Sequence, residues 1–253
     1  MYIEVRRART KKERLCLEMK IDKRIKYHLV VDVETAGGLG NPLVYDIGYA
    51  ITDKQGRIYE TRSFIISEIF YNKPLMTSAY YSEKVPKYIE DIESKKRTVV
   101  TFLEMREDFL SLAKKYDAKV LGAYNLMFDT RALSNTMQYI TKNKKMKFLT
   151  EEFKNIEMLC IWCLACETIY TQKSFRQMAL NNGWITEANN FRTSAEIGHR
   201  FLTGITDFEE EHTGLEDVLI EIGIMAYSYR QNKKRIGGVF AHPWRIPNST
   251  KYK

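Results

Sequence analysis

No stretch of this 253-residue chain is apolar for anything near the roughly 20 residues that a membrane-crossing helix needs. The segment Met1 to Lys26 is charged throughout and holds no apolar core of the kind a secretory leader carries. The expectation is a cytoplasmic protein with no membrane attachment. Cysteine is scarce, and four residues in a chain this long do not suggest a disulfide framework, which fits a reducing compartment. Cys160, Cys163 and Cys166 recur at every third position among apolar neighbours. A thiolate zinc site is one reading of that spacing. The other is an apolar helical stripe in which cysteine acts as a small core hydrophobe, and no fourth ligand lies nearby to favour zinc. Internal repeats and low-complexity tracts are absent too. What is present is ordinary for a globular chain able to bury a core: 44% hydrophobic residues and 12% aromatics.

Charge is unevenly placed. The net charge of +8 divides into +6 over residues 1–27, −5 over 28–227 and +7 over 228–253. An acidic body between basic ends suits a polyanion whose backbone is neutralised by the ends while metal ions occupy the acids. Lysine-rich ends that only keep a protein soluble are the alternative. The same divisions suggest a basic N-terminal segment at 1–27, a folded domain at 28–232 and a basic, irregular tail at 233–253.

Residues 28–35 read as a strand ended by Ala36-Gly37-Gly38. A second strand at 43–52 and a third at 57–66, joined by the turn Asp53 to Gly56, complete an antiparallel meander. Residues 67–98, rich in tyrosine and charge, show no clear period. Beyond them helices alternate with short strands. Capping-box patterns occur at Thr101–Glu104, Thr193–Glu196 and Thr213–Glu216. Strands are expected at 119–124 and at the start of 156–170. Helices are expected at 128–140, the later part of 156–170, 174–180, from 193 to near Gly204, and at 213–230. The pattern indicates an α/β fold with a mixed sheet flanked by helices.

Three short segments carry candidate chemistry. Asp32 and Glu34 stand two apart on one strand and so share a face. Paired acids in an apolar strand repel each other, and a hard divalent cation is the simplest group that stabilises them. A strand edge facing water would also accommodate them. Asp129 follows Asn125 by four residues, in the first turn of a helix, where an acid can equally be a partner of the helix dipole. If Thr213 caps the last helix, His212 and Asp217 take the two positions that meet across a helix start. That would present a base beside a metal ligand, or a purely structural contact.

In order, Asp32-Val-Glu-Thr35, Asn125-Leu-Met-Phe-Asp129 and His212-Thr-Gly-Leu-Glu-Asp217 resemble the motifs of the DEDDh branch of the DnaQ-like 3′→5′ exonucleases. Ile47-Gly48 resembles that family's apolar-glycine pair on the second strand, while Tyr124 stands where many members have histidine. The resemblance spans about residues 29–229. It implies a ribonuclease H-like fold with a central five-stranded mixed sheet. It also implies two Mg²⁺ (or Mn²⁺) ions held by Asp32, Glu34, Asp129 and Asp217, with His212 as general base. Thr35, Ala36, Asn125 and Phe128 would contact the terminal nucleotide. The implied substrate is single-stranded or 3′-frayed nucleic acid, DNA ahead of RNA, and a DNA polymerase is a conceivable partner. An RNA-trimming enzyme and a catalytically idle nucleic-acid-binding or polymerase-docking module are the alternatives. Trp244 and the tyrosines between 70 and 88 are candidates for base stacking.

Overall fold

A computed structural model describes residues 21–249 apart from 39, 80, 234–236 and 240. Most of the expected basic segment 1–27 and the last residues of the tail therefore lie outside the described residues. β1 (His28–Ala36), β2 (Leu43–Thr52) and β3 (Ile58–Ile66) form the expected antiparallel meander. The turn between β2 and β3 closes on Asp53, whose side chain accepts the Gln55 and Arg57 amides at 2.9 and 3.1 Å. β5 (Val120–Ala123) runs parallel to β1, and β6 (Glu157–Cys160) parallel to β5. This is the ribonuclease H-like layout anticipated above.

The sheet has six described strands, ordered β4-β3-β2-β1-β5-β6, where five were expected. The addition is β4 (Thr98–Val100), parallel to the end of β3 at one edge. Three residues are too few to show a period of two, and they follow the stretch whose charges hide any pattern.

The helices are α1 (Val85–Glu93), α2 (Phe102–Lys115), α3 (Leu126–Thr141), α4 (Ile161–Thr168), α5 (Lys173–Asn181), α6 (Ala195–Thr203) and α7 (Gly214–Arg230). Single helical turns occur at Ser67–Phe70 and Lys73–Met76. A further turn at Arg245–Asn248 departs from the irregular tail that was expected. Asn248 accepts the Phe191 amide at 2.8 Å, which docks the tail on the body. No described helix is long and apolar enough to cross a membrane.

Alternation along β1 sorts its side chains between two cores. Val31 and Val33 join Phe102, Met105 and Phe109 of α2 and Leu133 of α3 on one face. Val30 joins Leu164 of α4 and Val218 and Ile222 of α7 on the other. Asp32 and Glu34 are in phase with Val30, so both acids emerge on the α7 face. The box at Thr101 forms as expected: its hydroxyl accepts the Glu104 amide at 3.3 Å and its own amide donates to Glu104 Oε2 at 2.8 Å. At α6 the cap is Ser194, not Thr193, and accepts the Ile197 amide at 3.3 Å. Thr193 is buried, and its hydroxyl takes the Trp162 indole N–H at 2.9 Å.

Cys160, Cys163 and Cys166 are in no disulfide and are buried at the start of α4 and within it. Cys160 and Cys163 pack in one apolar core and Cys166 in the other, and the two groupings of metal-donor atoms found among the described residues include no cysteine.

Candidate active site

Two glycines set where α7 meets the sheet. Gly48 stands opposite Asp32 in the β1–β2 ladder, and Gly214 begins α7. A methyl group on Gly48 would fall on the backbone of Gly214 and Leu215, and one on Gly214 would lie 2.9 Å from the Ile47 carbonyl carbon. Backbone thus touches backbone at the register of Asp32, which only glycine permits.

The capping box expected at Thr213 does not form. Thr213 precedes α7 in an extended conformation and makes no side-chain bond to the helix amides. Its hydroxyl donates instead to Glu216 Oε2 at 2.6 Å. The cap comes from the sheet: Asp46, fully buried beside Glu34, accepts the Gly214 amide at 3.0 Å and the Tyr88 hydroxyl at 2.7 Å. Arg97 Nη1 lies 3.6 Å from Asp46, while its other nitrogens reach Asp91 at 3.0 Å and Glu216 at 3.3 Å. One buried guanidinium therefore joins α1, β2 and α7 beneath the cleft.

Asp32, Glu34, Asp129, His212 and Asp217 line one cleft of about 280 Å³, together with Asn125 and Phe128. Asp129 is buried in the first turn of α3. Asn125 precedes that helix without capping it through its side chain. The Arg131 guanidinium stands 5.6 Å over the Phe128 ring. Thr35 and Ala36 do not line the cleft. Ala36 is wholly buried, with its methyl in the apolar core.

His212 has a left-handed backbone, φ 49°, uncommon for a residue with a side chain. Its ring stacks on Tyr81 with centroids 4.3 Å apart. Nδ1 lies 3.8 Å from Glu210 and 4.0 Å from Asp217, within ion-pair reach but beyond a hydrogen bond. Burial, and then the Lys84 charge, hold its pKa below the ordinary histidine value.

Burial and crowding raise the cleft carboxyls together. Glu34 is pushed up to about 9, by burial first and then by Asp217. Burial lifts Asp129 to about 8 and Asp217 to about 7. Asp32 is pushed well up by burial and then by Glu221. Lys84 opposes the trend at Glu34 and Asp217. Asp217 Oδ1, Glu221 Oε2 and Glu210 Oε1 are buried with no hydrogen-bond partner. Donor atoms of Glu34, His212 and Asp217 lie within 4.8 Å of one another, as do those of Glu196, Glu210 and His212. Orphaned oxygens in a crowd of acids fit hard divalent cations such as Mg²⁺ or Mn²⁺.

Three residues of this surroundings were not foreseen. Glu221 carried a signal, since it is an acid one turn after Asp217 on the apolar face of α7. Glu210 stood in a run of three acids with nothing to distinguish it from a solvated loop. Lys84 falls in the segment without a period. Of the stacking candidates, Tyr81 lines the cleft, Tyr88 is buried in the core and Tyr71 is exposed. Tyr80 lies outside the described residues. Trp244 lines a separate groove with Trp162 and Arg192, which also reaches Ser194 at the cleft margin.

No protein family matches this chain by sequence, and no curated protein matches it. Among solved structures it resembles a product-bound exonuclease I, at 15% identity and a TM-score of 0.48 over 79% of this chain and 42% of that one. It also resembles E. coli exonuclease I in complex with a dT13 oligonucleotide, at 15% identity and a TM-score of 0.48 over 80% and 40%. A moderately thermophilic exonuclease I from Methylocaldum szegediense gives 14% identity and a TM-score of 0.46 over 82% and 41%. The match spans about two fifths of those proteins' length. At such identity nothing about this chain's reaction follows from theirs.

Proposed function

We propose that the cleft is the active site of a metal-dependent 3′→5′ exonuclease that releases 5′-mononucleotides from single-stranded or frayed 3′ ends, with DNA as substrate ahead of RNA. The observation that carries this reading is convergence. Acids from β1, α3 and α7 meet His212 in one cleft, and Asp217 Oδ1 and Glu221 Oε2, both on α7, are buried with no protein partner.

Glu34, Asp217 and Asp32 would hold one divalent ion, and Asp129 with Asp32 a second. Such ions supply Lewis-acid stabilisation of the attacking and leaving oxygens of a phosphodiester. The chain's own residues do the rest. His212, kept neutral by burial and by Lys84, accepts the proton of the attacking water at a ring nitrogen. Tyr81 holds the imidazole plane by stacking. Phe128, backed by Arg131, offers an aromatic edge to the terminal nucleoside, and Asn125 offers an amide beside it. The basic flanks would draw in the rest of the strand.

The test is digestion of matched single-stranded DNA, duplex DNA with a mismatched 3′ end, and RNA, each labelled at the 5′ end. Stepwise shortening that EDTA and Asp32→Ala abolish supports the reading, and the ratio of DNA to RNA rates settles the substrate. Intact 3′ ends after incubation with folded, Mn²⁺-supplemented protein would overturn it.

A further inference from the structure

Glu221 is the acid that the motif-based reading leaves without a task. It lies one turn beyond Asp217 on the same face of α7, with apolar Val218 and Ile222 beside it, and is only 2% exposed. Its Oε2 has no hydrogen-bond partner, and its carboxylate lines the cleft. The groups around it are acids: Asp129, Asp217 and Glu210 act on it, and it in turn is the charge that acts most on Asp32. Among the described residues no lysine, arginine or histidine pairs with it.

A helix does not retain such a residue for packing. Glutamate in place of an apolar side chain on a buried face costs stability unless a cation or a full set of donors meets it. Another buried acid of this region has such a set. Asp46 is met by the Gly214 amide, the Tyr88 hydroxyl and Arg97. Glu221 has no comparable set: apart from a hydrogen bond from the Tyr124 backbone it meets acids, and its Oε2 has no partner.

We propose that Glu221 is a fifth carboxylate ligand of the divalent-ion site, acting on the Asp32–Asp129 side of the cleft. The inference rests on the metal-dependent reading above. It adds a ligand one helical turn from Asp217, so that α7 contributes two carboxylates to the ions. The ligand class is a hard divalent cation, Mg²⁺ or Mn²⁺.

Mn²⁺ is titrated into the EDTA-stripped, dialysed full chain, with bound and free ion followed by electron paramagnetic resonance and by calorimetry. Wild type is expected to take up two ions. Glu221→Gln preserves the shape of the side chain and should weaken one of the two at least tenfold, leaving the other within threefold. Asp129→Asn should weaken the same ion. Circular dichroism and the metal-free melting curve check that each variant is folded. If Glu221→Gln does not fold, Glu221→Asp, which keeps the charge and shortens its reach, should show the same selective loss in smaller measure. Two ions bound to Glu221→Gln with wild-type affinities, or equal weakening of both, would overturn the proposal. So would a wild-type chain that binds no Mn²⁺. Because the readout is ion binding, the result stands whether or not the chain cleaves nucleic acid, so this inference and the nuclease reading fail separately.

Discussion

Replacing Asp217 by asparagine should make the metal-free protein more stable while removing the benefit it draws from metal. Burial lifts this carboxyl from the ordinary aspartate value of 3.8 to about 7. At 1.36 kcal/mol per pH unit, ionising it in the fold costs about 4 kcal/mol more than in the unfolded chain. A carboxyl whose folded pKa lies above its unfolded one binds its proton more tightly in the fold. The associated stability is present below about pH 4, is lost as pH rises to about 7, and stays lost above that. Two effects reduce the figure. Asp217 sits in the first turn of α7, where the helix dipole returns about 0.3–1 kcal/mol. Its acidic neighbours can also take up protons and relieve part of the repulsion. The expected gain for Asp217→Asn in EDTA at pH 8.5 is therefore about 1–3 kcal/mol, narrowing to within about 1 kcal/mol at pH 4.5.

Urea denaturation at the two pH values, with and without Mn²⁺, measures both halves of the expectation. An ion present at 100 times its Kd adds about 2.7 kcal/mol to a fold that binds it. With Mn²⁺ at that excess the order should invert, wild type gaining and the variant gaining little. An asparagine variant that is less stable than wild type in EDTA at pH 8.5, or that gains as much from Mn²⁺, would refute the view that crowded, unpaired carboxylates await cations.

Gly48→Ala should cost about 1–3 kcal/mol or more, because the new methyl meets backbone on α7 and neither strand nor helix can yield cheaply. Gly223→Ala is the control: nothing lies within 4 Å of a methyl there, and the gain in helix propensity should add up to about 1 kcal/mol in the same urea titration. His212→Ala should lower kcat by about 10²–10⁴ at pH 7.5 while leaving Mn²⁺ uptake in place. Lost uptake would make the imidazole a ligand and not a base. At saturating Mn²⁺ the acid limb of kcat/KM should fall below the ordinary histidine pKa and move to higher pH in Lys84→Ala, since Lys84 helps to hold that pKa down.

The meander and the positions of the carboxylates were legible because they rest on short-range rules. Alternation along 28–35 puts Asp32 and Glu34 on one face, and the same rule sends Val31 and Val33 to the opposite core. β4 was not legible, since three residues at a sheet edge carry no period. Nor was Lys84, which reaches the cleft from a segment organised by contacts distant in sequence. It bonds the backbone carbonyl of Glu211. The caps show the limit most clearly. Thr101–Glu104 forms with the threonine hydroxyl bonded to Glu104, whereas the Thr193 hydroxyl accepts the N–H of the partly buried Trp162 indole and the cap moves to Ser194.

The pairing of His212 with Asp217 was expected to follow from a local capping box. The structure brings the two within 4.0 Å by a different route. Gly48 and Gly214 let the helix start descend onto β2, and Asp46 takes the first helix amide. Arg97 then neutralises Asp46 and holds Glu216. That division of labour explains why two buried acids in the same region differ. Asp46 is satisfied by an amide, a hydroxyl and a guanidinium, so it can fix the helix whether or not metal is present. Asp217 and Glu221, carried by the helix that Asp46 anchors, have no comparable set of protein partners. The fold thus uses Arg97, the one buried arginine among the described residues, for position, and leaves the orphaned oxygens of Asp217 and Glu221 without a protein partner, an arrangement that suits a cation.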